Sequence, residues 1–451
     1  MKRFVIVGVG GRSKMFTDAL AGPYKDSTRL VGVCDINSGR VERALRMLKE
    51  DLPDLVGYGI AEFDKMLDEQ NPDCVIVCTK DCFHDEYICR ALEAGKDAVT
   101  EKPMTTDAAK CQRIVDTVQR TGKSVRVTFN YRYSPPRSQI KELLMSGVIG
   151  RVLSVDFHWL LDTNHGADYF RRWHRHKENS GGLMVHKATH HFDLVNWWLS
   201  SVPETVYANG DRVFYNEQQA RNYGLEGHGE RCLDCPVSDK CNFYLDLKES
   251  PDNQSLYLEN EQHDEYYRDR CVFSDAIDIE DTMNVIVKYR NGARLSYSLN
   301  AFLPWEGHIV SFNGTRGRLE HVARETSYIN GDGTVPGAIV SEGTSTKIFP
   351  HFQTPYSVAI RHGEGGHGGG DDVLMEEVFG TPQPDPLLRS ADFVQGAYSI
   401  LTGIAANHSM ADGKVIQVSD LVQNLPEPDF PAMPGIEEDI PFIDNAKYVF
   451  E

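Results

Sequence analysis

Over residues 1–130, short β-branched runs alternate with amphipathic stretches, a pattern that predicts βαβ units around a parallel sheet. Arg3–Val9, Leu30–Cys34, Cys74–Cys78, Ala98–Thr100 and Ser124–Phe129 read as buried strands. Val41–Lys49, Ala61–Glu69, Glu86–Ala94 and Thr106–Arg120 read as the helices between them, with Gly95 placed to cap the third. A turn at Tyr131–Pro136, with two prolines, breaks the pattern.

From Gly150 the period changes to two. Val152–Leu161, Thr205–Tyr215, Met283–Tyr289, Ala293–Asn300 and His308–Asn313 alternate apolar and polar positions, as half-exposed antiparallel strands do. Asn291-Gly292 between two of them is a hairpin signal. Glu217–Asp281 is polar and aromatic with little periodicity, and reads as an insertion. Ser390–Met410 reads as a helix with small residues on one side. The tail from Asn424 holds five prolines and reads as an extended arm, giving a plan of 1–130, 131–423 and 424–451.

Composition narrows the class. The chain has 451 residues, 47 basic and 66 acidic, for a net charge of −19, with 41% hydrophobic and 25% charged residues. That is a globular composition, large enough for two or three cores. The acid excess opposes nucleic acid and anionic membrane as partners. No run approaches the roughly 18 apolar residues of a spanning helix. The Met1–Val7 segment runs into glycines rather than a cleavage site, so it reads as a strand and not a signal peptide. Ten cysteines without an export signal are expected to be reduced thiols in a cytoplasmic enzyme.

The first strand runs into Gly8-Val9-Gly10-Gly11-Arg12-Ser13, a G-x-G-x-x-S variant of the dinucleotide fingerprint. Gly8 permits the tight turn and Gly10 lets backbone approach a pyrophosphate at a helix N-terminus. Ser13 replaces the third glycine with another small residue. Asp35, at the end of the second strand, is placed to accept from a ribose 2′-hydroxyl, which favours NAD, while Arg40 keeps NADP open.

Thr100-Glu101-Lys102-Pro103 follows an apolar strand and is similar to the Glu-Lys-Pro motif of the Gfo/Idh/MocA oxidoreductases. The resemblance extends through Thr79-Lys80-Asp81-Cys82-Phe83-His84 and Asn130-Tyr131-Arg132. It continues in Gly181-Gly182-Leu183-Met184-Val185-His186-Lys187-Ala188-Thr189-His190-His191-Phe192-Asp193. It implies a Rossmann domain followed by an α+β domain with a large open, mostly antiparallel sheet, and a homodimer or homotetramer. It implies hydride transfer between NAD and a hydroxyl-bearing carbon of a sugar, glycoside or cyclitol. A glycoside hydrolase of the same fold using transient oxidation, or a non-catalytic sugar-sensing regulator, are the alternatives.

By this resemblance Lys102 and His190 form the acid/base pair, and Thr79, His84, Glu101 and Arg12 join the cofactor site. Oxidising an alcohol requires a group titrating near neutrality at the hydroxyl oxygen: His190 can take the proton, and Lys102 can stabilise alkoxide charge. Where the family has Asp, this chain has His186, one turn before His190. His186 reads as a substrate hydrogen-bonder, with metal binding or filling as alternatives. His191 reads as a supporting or core histidine, and Asp193 as a group that orients the helix. The Arg361–Asp371 stretch is too glycine-rich for a regular element and reads as a loop, with His367 and Asp371 as substrate contacts beside Tyr131 and Arg132.

Cys232-Leu233-Asp234-Cys235, followed by Cys241 and Cys271, has spacing suited to a structural zinc or an iron–sulfur cluster, with His228 and His263 as alternative ligands. Unliganded thiols or a redox disulfide are the other readings. Cys34, Cys74, Cys78, Cys82, Cys89 and Cys111 read as small core residues.

Overall fold

The structure, a computed structural model, describes residues 1–326, 343–363, 366–381 and 383–434. Six parallel strands form the first sheet, in the order Val56–Gly59, Thr28–Asp35, Lys2–Val7, Cys74–Val77, Asp97–Thr100, Val125–Val127. This is the doubly wound order, with a crevice where the order reverses beside the first strand. The Val5, Val7, Val75 and Val77 side chains are fully buried, as strands covered on both faces require. Around this sheet, one strand and one α-helix escaped sequence reading: the edge strand Val56–Gly59, with Tyr58 alone buried, and the helix Lys14–Ala21 after the glycine turn.

Nine strands form the second sheet, from Tyr356–Val358 through Thr344–Pro350, Gly317–Thr326, Glu306–Gly314, Val152–Asp162, Arg294–Leu303, Thr282–Tyr289 and Pro203–Asp211 to Ile416–Gln417. Its strands pair antiparallel except Val152–Asp162 with Arg294–Leu303. Asn291-Gly292 makes the expected hairpin, with Gly292 at φ 89°. One face of this sheet is covered by the helices Leu183–His186, Ala188–Leu199 and Phe393–Asp412, whose buried side chains share its core.

Two sequence readings need correction. The Tyr131–Pro136 stretch does turn, as a 3-10 turn over Asn130–Tyr133, but its two prolines begin a helix, Pro135–Met145, in whose first turn no N–H partner is lost. The glycine-rich stretch is not all loop: Gly366–Phe379 is helical. Its glycines allow close backbone approach, since a Cβ on Gly370 would lie 2.3 Å from the Asn130 carbonyl oxygen. The insertion forms only short helices, including Glu217–Asn222 and Pro251–Leu256. In the tail, Pro431 accepts a hydrogen bond from Ser200, and residues 435–451 lie outside the described part. Among the described residues, no helix is long and apolar enough to cross a membrane.

Candidate active site

A cavity of about 570 Å³ opens at the crevice of the parallel sheet and runs to the helices that cover the second sheet. The glycine turn, Asp35, Thr79, His84, Glu101 and Lys102 line it from one side. Tyr131, the His165–His174 stretch, His186, Lys187 and His190 line it from the other, with Tyr257, Asp264 and Tyr266 of the insertion along one wall.

The cofactor end follows from the turn. Gly8 has φ +91° and a Cβ there would lie 2.5 Å from the Cys78 carbonyl, so only glycine fits. Gly10 faces open space within the cavity wall. The Ser13 hydroxyl donates to the Gly10 carbonyl at 2.8 Å, which shapes the turn; Ser13 itself does not line the cavity. The Asp35 carboxylate accepts from the Val9 N–H at 2.7 Å and the Asn37 N–H at 2.8 Å, and burial raises its pKa. Ile36, Ile60, Phe83 and Tyr87 add apolar wall beside it. A glycine cradle, a carboxylate and an apolar slot fit the pyrophosphate, ribose and adenine of a nicotinamide dinucleotide.

Arg12 and Glu101 form an ion pair at 2.8 Å, and Thr128 donates to the same Glu101 oxygen at 3.0 Å. His84 lies 2.7 Å from the Pro103 carbonyl and 3.1 Å from the Thr79 carbonyl, tying the two strand-end loops together beneath Lys102. Burial holds His84 below its ordinary pKa.

At the other end, the Lys102 ammonium donates to the His186 carbonyl at 3.4 Å. Burial lowers its pKa to about 8, against the opposing pull of Asp81 and Glu101. His190 stacks on Tyr131, with ring centroids 4.1 Å apart and planes within 8°. The carboxylate missing at position 186 arrives from elsewhere: Asp81 meets His186 Nδ1 at 2.5 Å. Burial raises Asp81 and keeps His186 well below its ordinary range, so the imidazole is neutral. His174, also held neutral by burial, packs 4.2 Å from His186.

Sequence reasoning missed several wall residues. Lys187 donates to the Tyr131 hydroxyl at 3.2 Å and stays cationic, its charge favoured by Tyr131, Tyr169 and Glu306 against burial. His165 lies 2.8 Å from Glu306 and 2.9 Å from the Tyr169 hydroxyl. Arg172 and Asp168 pair at 3.4 Å, and surrounding arginines hold Asp168 at a pKa of about 2. The dense run of aromatic and cationic residues from His165 to His176 was the available signal.

Other expected residues are elsewhere. Arg132 is fully buried and makes a two-point ion pair with Asp193, at 2.6 and 2.7 Å. It braces the helix of His190 from behind and does not face the cavity, which also gives Asp193 its orienting role. Asp371 accepts from Asn130 at 2.6 Å and lies 3.9 Å from Arg12, so it supports the wall from outside it. The side chain of His367 lies outside the described part, although its backbone is in the helix. His191 is a core residue, 2.6 Å from the Tyr297 hydroxyl and stacked on Trp159.

Cys232, Cys235, Cys241, Cys271 and His228 do border one small void of about 20 Å³. Among the described residues, however, no group of three or more His, Cys, Asp or Glu is arranged to hold a metal ion. Burial raises the Cys232 and Cys241 thiols and pushes Cys271 up to about 12, which favours protonated, packed sulfurs. Cys235 and Cys271 accept backbone N–H groups, Cys271 meets His228 at 3.4 Å, and His263 turns away to Ser38. All ten cysteines are free thiols. The zinc or iron–sulfur expectation therefore gains no support from the arrangement.

Sheet order, glycine turn and an acid/base cluster at one cavity define a dinucleotide-binding α/β oxidoreductase. The chain belongs to the Gfo/Idh/MocA family. Residues 2–129 match the model of the oxidoreductase family's NAD-binding Rossmann fold, and 141–418 that of its C-terminal alpha/beta domain. The chain is 37% identical over 444 residues to YteT of Bacillus subtilis, covering 94% of this chain and 99% of that one. It is 27% identical over 190 residues to the inositol 2-dehydrogenase/D-chiro-inositol 3-dehydrogenase of Lactiplantibacillus plantarum, covering 42% of this chain and 49% of that one. The WlbA dehydrogenase of Bordetella pertussis, solved with NADH and UDP-GlcNAcA, shares the fold at a TM-score of 0.60 and 19% identity, over 92% of this chain and 98% of that one.

Proposed function

We propose that the protein is an NAD-dependent dehydrogenase that oxidises a hydroxyl-bearing carbon of a sugar, glycoside or cyclitol, or reduces the matching ketone. The observation that carries this reading is that Lys102 and His190 line the same cavity as the glycine turn and Asp35. Gly8, Gly10 and Gly11 would hold the pyrophosphate and Asp35 the ribose of the dinucleotide, which supplies the hydride acceptor when bound.

This chain's residues supply the proton chemistry. Lys102, lowered to about 8, is near enough to neutrality to take the proton from a substrate hydroxyl at working pH, the part that sequence reading assigned to His190. His190, oriented by stacking on Tyr131, hydrogen-bonds the same oxygen. Neutral His186 presents its remaining edge to a neighbouring hydroxyl, with Asp81 fixing the ring. Lys187, Tyr169 and Trp173 complete a polar and aromatic wall of the kind that binds sugar rings.

The test is NADH formation across a panel of polyols, aldoses, glycosides and cyclitols. Lys102→Met is expected to lower kcat by about 10²–10⁴-fold while NADH binding by fluorescence persists. Full activity in that variant, or glycoside cleavage with no net NADH, would overturn the mechanism.

A further inference from the structure

The insertion returns across the Rossmann helix that follows Asp35. Asn37 donates to the Asn260 carbonyl at 2.9 Å, and Arg43 to Ser255 at 2.9 Å and Asp252 at 2.8 Å. Arg40 reaches Asp264 at 2.8 Å and the Leu256 carbonyl at 3.3 Å. The Arg40 and Asp264 side chains are only 9% and 8% exposed, and the guanidinium lies between the Tyr257 and Tyr266 rings, 5.8 and 5.5 Å from their centroids. A Cβ on Gly39 would lie 1.9 Å from the Asn260 side-chain oxygen, so the Asn260 side chain packs directly on the helix backbone.

Arg40 is the residue that a 2′-phosphate would need, as it stands five positions past Asp35 on the cavity wall. Its buried ion pair with Asp264 through Nη1 neutralises the guanidinium, and the Leu256 carbonyl on Nε fixes it, while Nη2 is buried without a hydrogen-bond partner among the described residues. Asp264 lines the same wall and its charge reaches Asp35, so two carboxylates confront this end of the cavity. An added phosphate would meet like charge on both.

We propose that Asp264, a residue of the insertion, is a specificity determinant of the cofactor site: it holds Arg40 away from the dinucleotide and excludes a 2′-phosphate, committing the cavity to NAD. The inference rests on the dinucleotide reading of the cavity, and it gives the insertion a role in cofactor binding.

Equilibrium titrations of full-length protein with NADH and NADPH, followed by nucleotide fluorescence, test it. In wild type NADH binds far more tightly than NADPH. In Asp264→Asn the freed Arg40 takes the phosphate, and the ratio of the two Kd values falls by about 10- to 100-fold, the scale of one charge-assisted contact. In Asp264→Asn/Arg40→Gln that gain disappears, whereas Asp252→Asn, at an exposed carboxylate, keeps the wild-type ratio. Normal NADH binding with an unchanged ratio in Asp264→Asn would overturn the role of Asp264 alone. Wild-type protein that binds neither nucleotide would overturn the dinucleotide reading beneath it.

Discussion

At the scale of single residues, the titration of Lys102 sets the sharpest expectation. Burial favours its neutral amine and takes the pKa from 10.5 to about 8. Alcohol oxidation needs the neutral amine, so log kcat/KM in that direction should rise with pH through about 8 and then level. Ketone reduction needs the ammonium and should fall over the same window. A flat oxidation profile between pH 7 and 9 would remove Lys102 as the base. Lys102 was legible because its tetrapeptide is contiguous. The Asp81 carboxyl beside His186 was not, because that contact spans 105 positions. Arg132 failed in the opposite sense: an arginine in a recognised motif reads as a ligand group, and only the fold reveals that Asp193 neutralises it in the core.

At the scale of elements, periodicity found the buried strands and missed those whose inward positions are not apolar. Gly317–Thr326 turns His321 inward, where it meets the Thr346 hydroxyl at 2.8 Å, so the apolar alternation fades. Gly366–Phe379 was hidden by glycines whose use is close packing. The helix Phe393–Asp412 was legible, and its small face has a consequence for the site. A Cβ on Gly403 would lie 2.1 Å from the Met184 carbonyl oxygen, in the helix that carries His186. Gly403→Ala must force the two helices apart. Overpacking of this kind costs about 1–3 kcal/mol, which urea unfolding would read. Because His186 moves with the helix, kcat/KM should also fall, while NADH affinity at the far end is kept. Retained kcat/KM in a destabilised Gly403→Ala protein would detach this contact from the site.

At the scale of the whole molecule, the net charge of −19 says less about the ligand than the sequence implied. Reading an acid excess as a bar to anionic partners treats the charge as uniform. The cavity wall instead holds Arg12, Arg40, Lys80, Lys102, Arg172 and Lys187 against Asp35, Asp81, Glu101, Asp168 and Asp264. Near balance inside an acidic shell admits a dinucleotide with its two phosphate charges, and leaves anionic sugars open as substrates. The wall is assembled from both sheets' layers and the insertion, so a dinucleotide filling it would touch segments more than 200 positions apart. Binding to such a composite site stabilises every part that forms it. At NADH concentrations 100-fold above Kd the folded state should gain about 2.7 kcal/mol, visible as a rise in Tm. The Ser250–Tyr266 segment forms only two short helical stretches, Pro251–Leu256 and Leu258–His263, and is tied to the parallel-sheet layer by side chains such as Arg40 and Arg43. Among the described residues it should be an early site of local opening and of cutting by a protease of broad specificity. NADH should slow that cut in step with the rise in Tm, since closing the wall and holding the ligand are one event. If Tm rises while the segment is cut at an unchanged rate, the insertion stands apart from the cofactor site and the wall is complete without it.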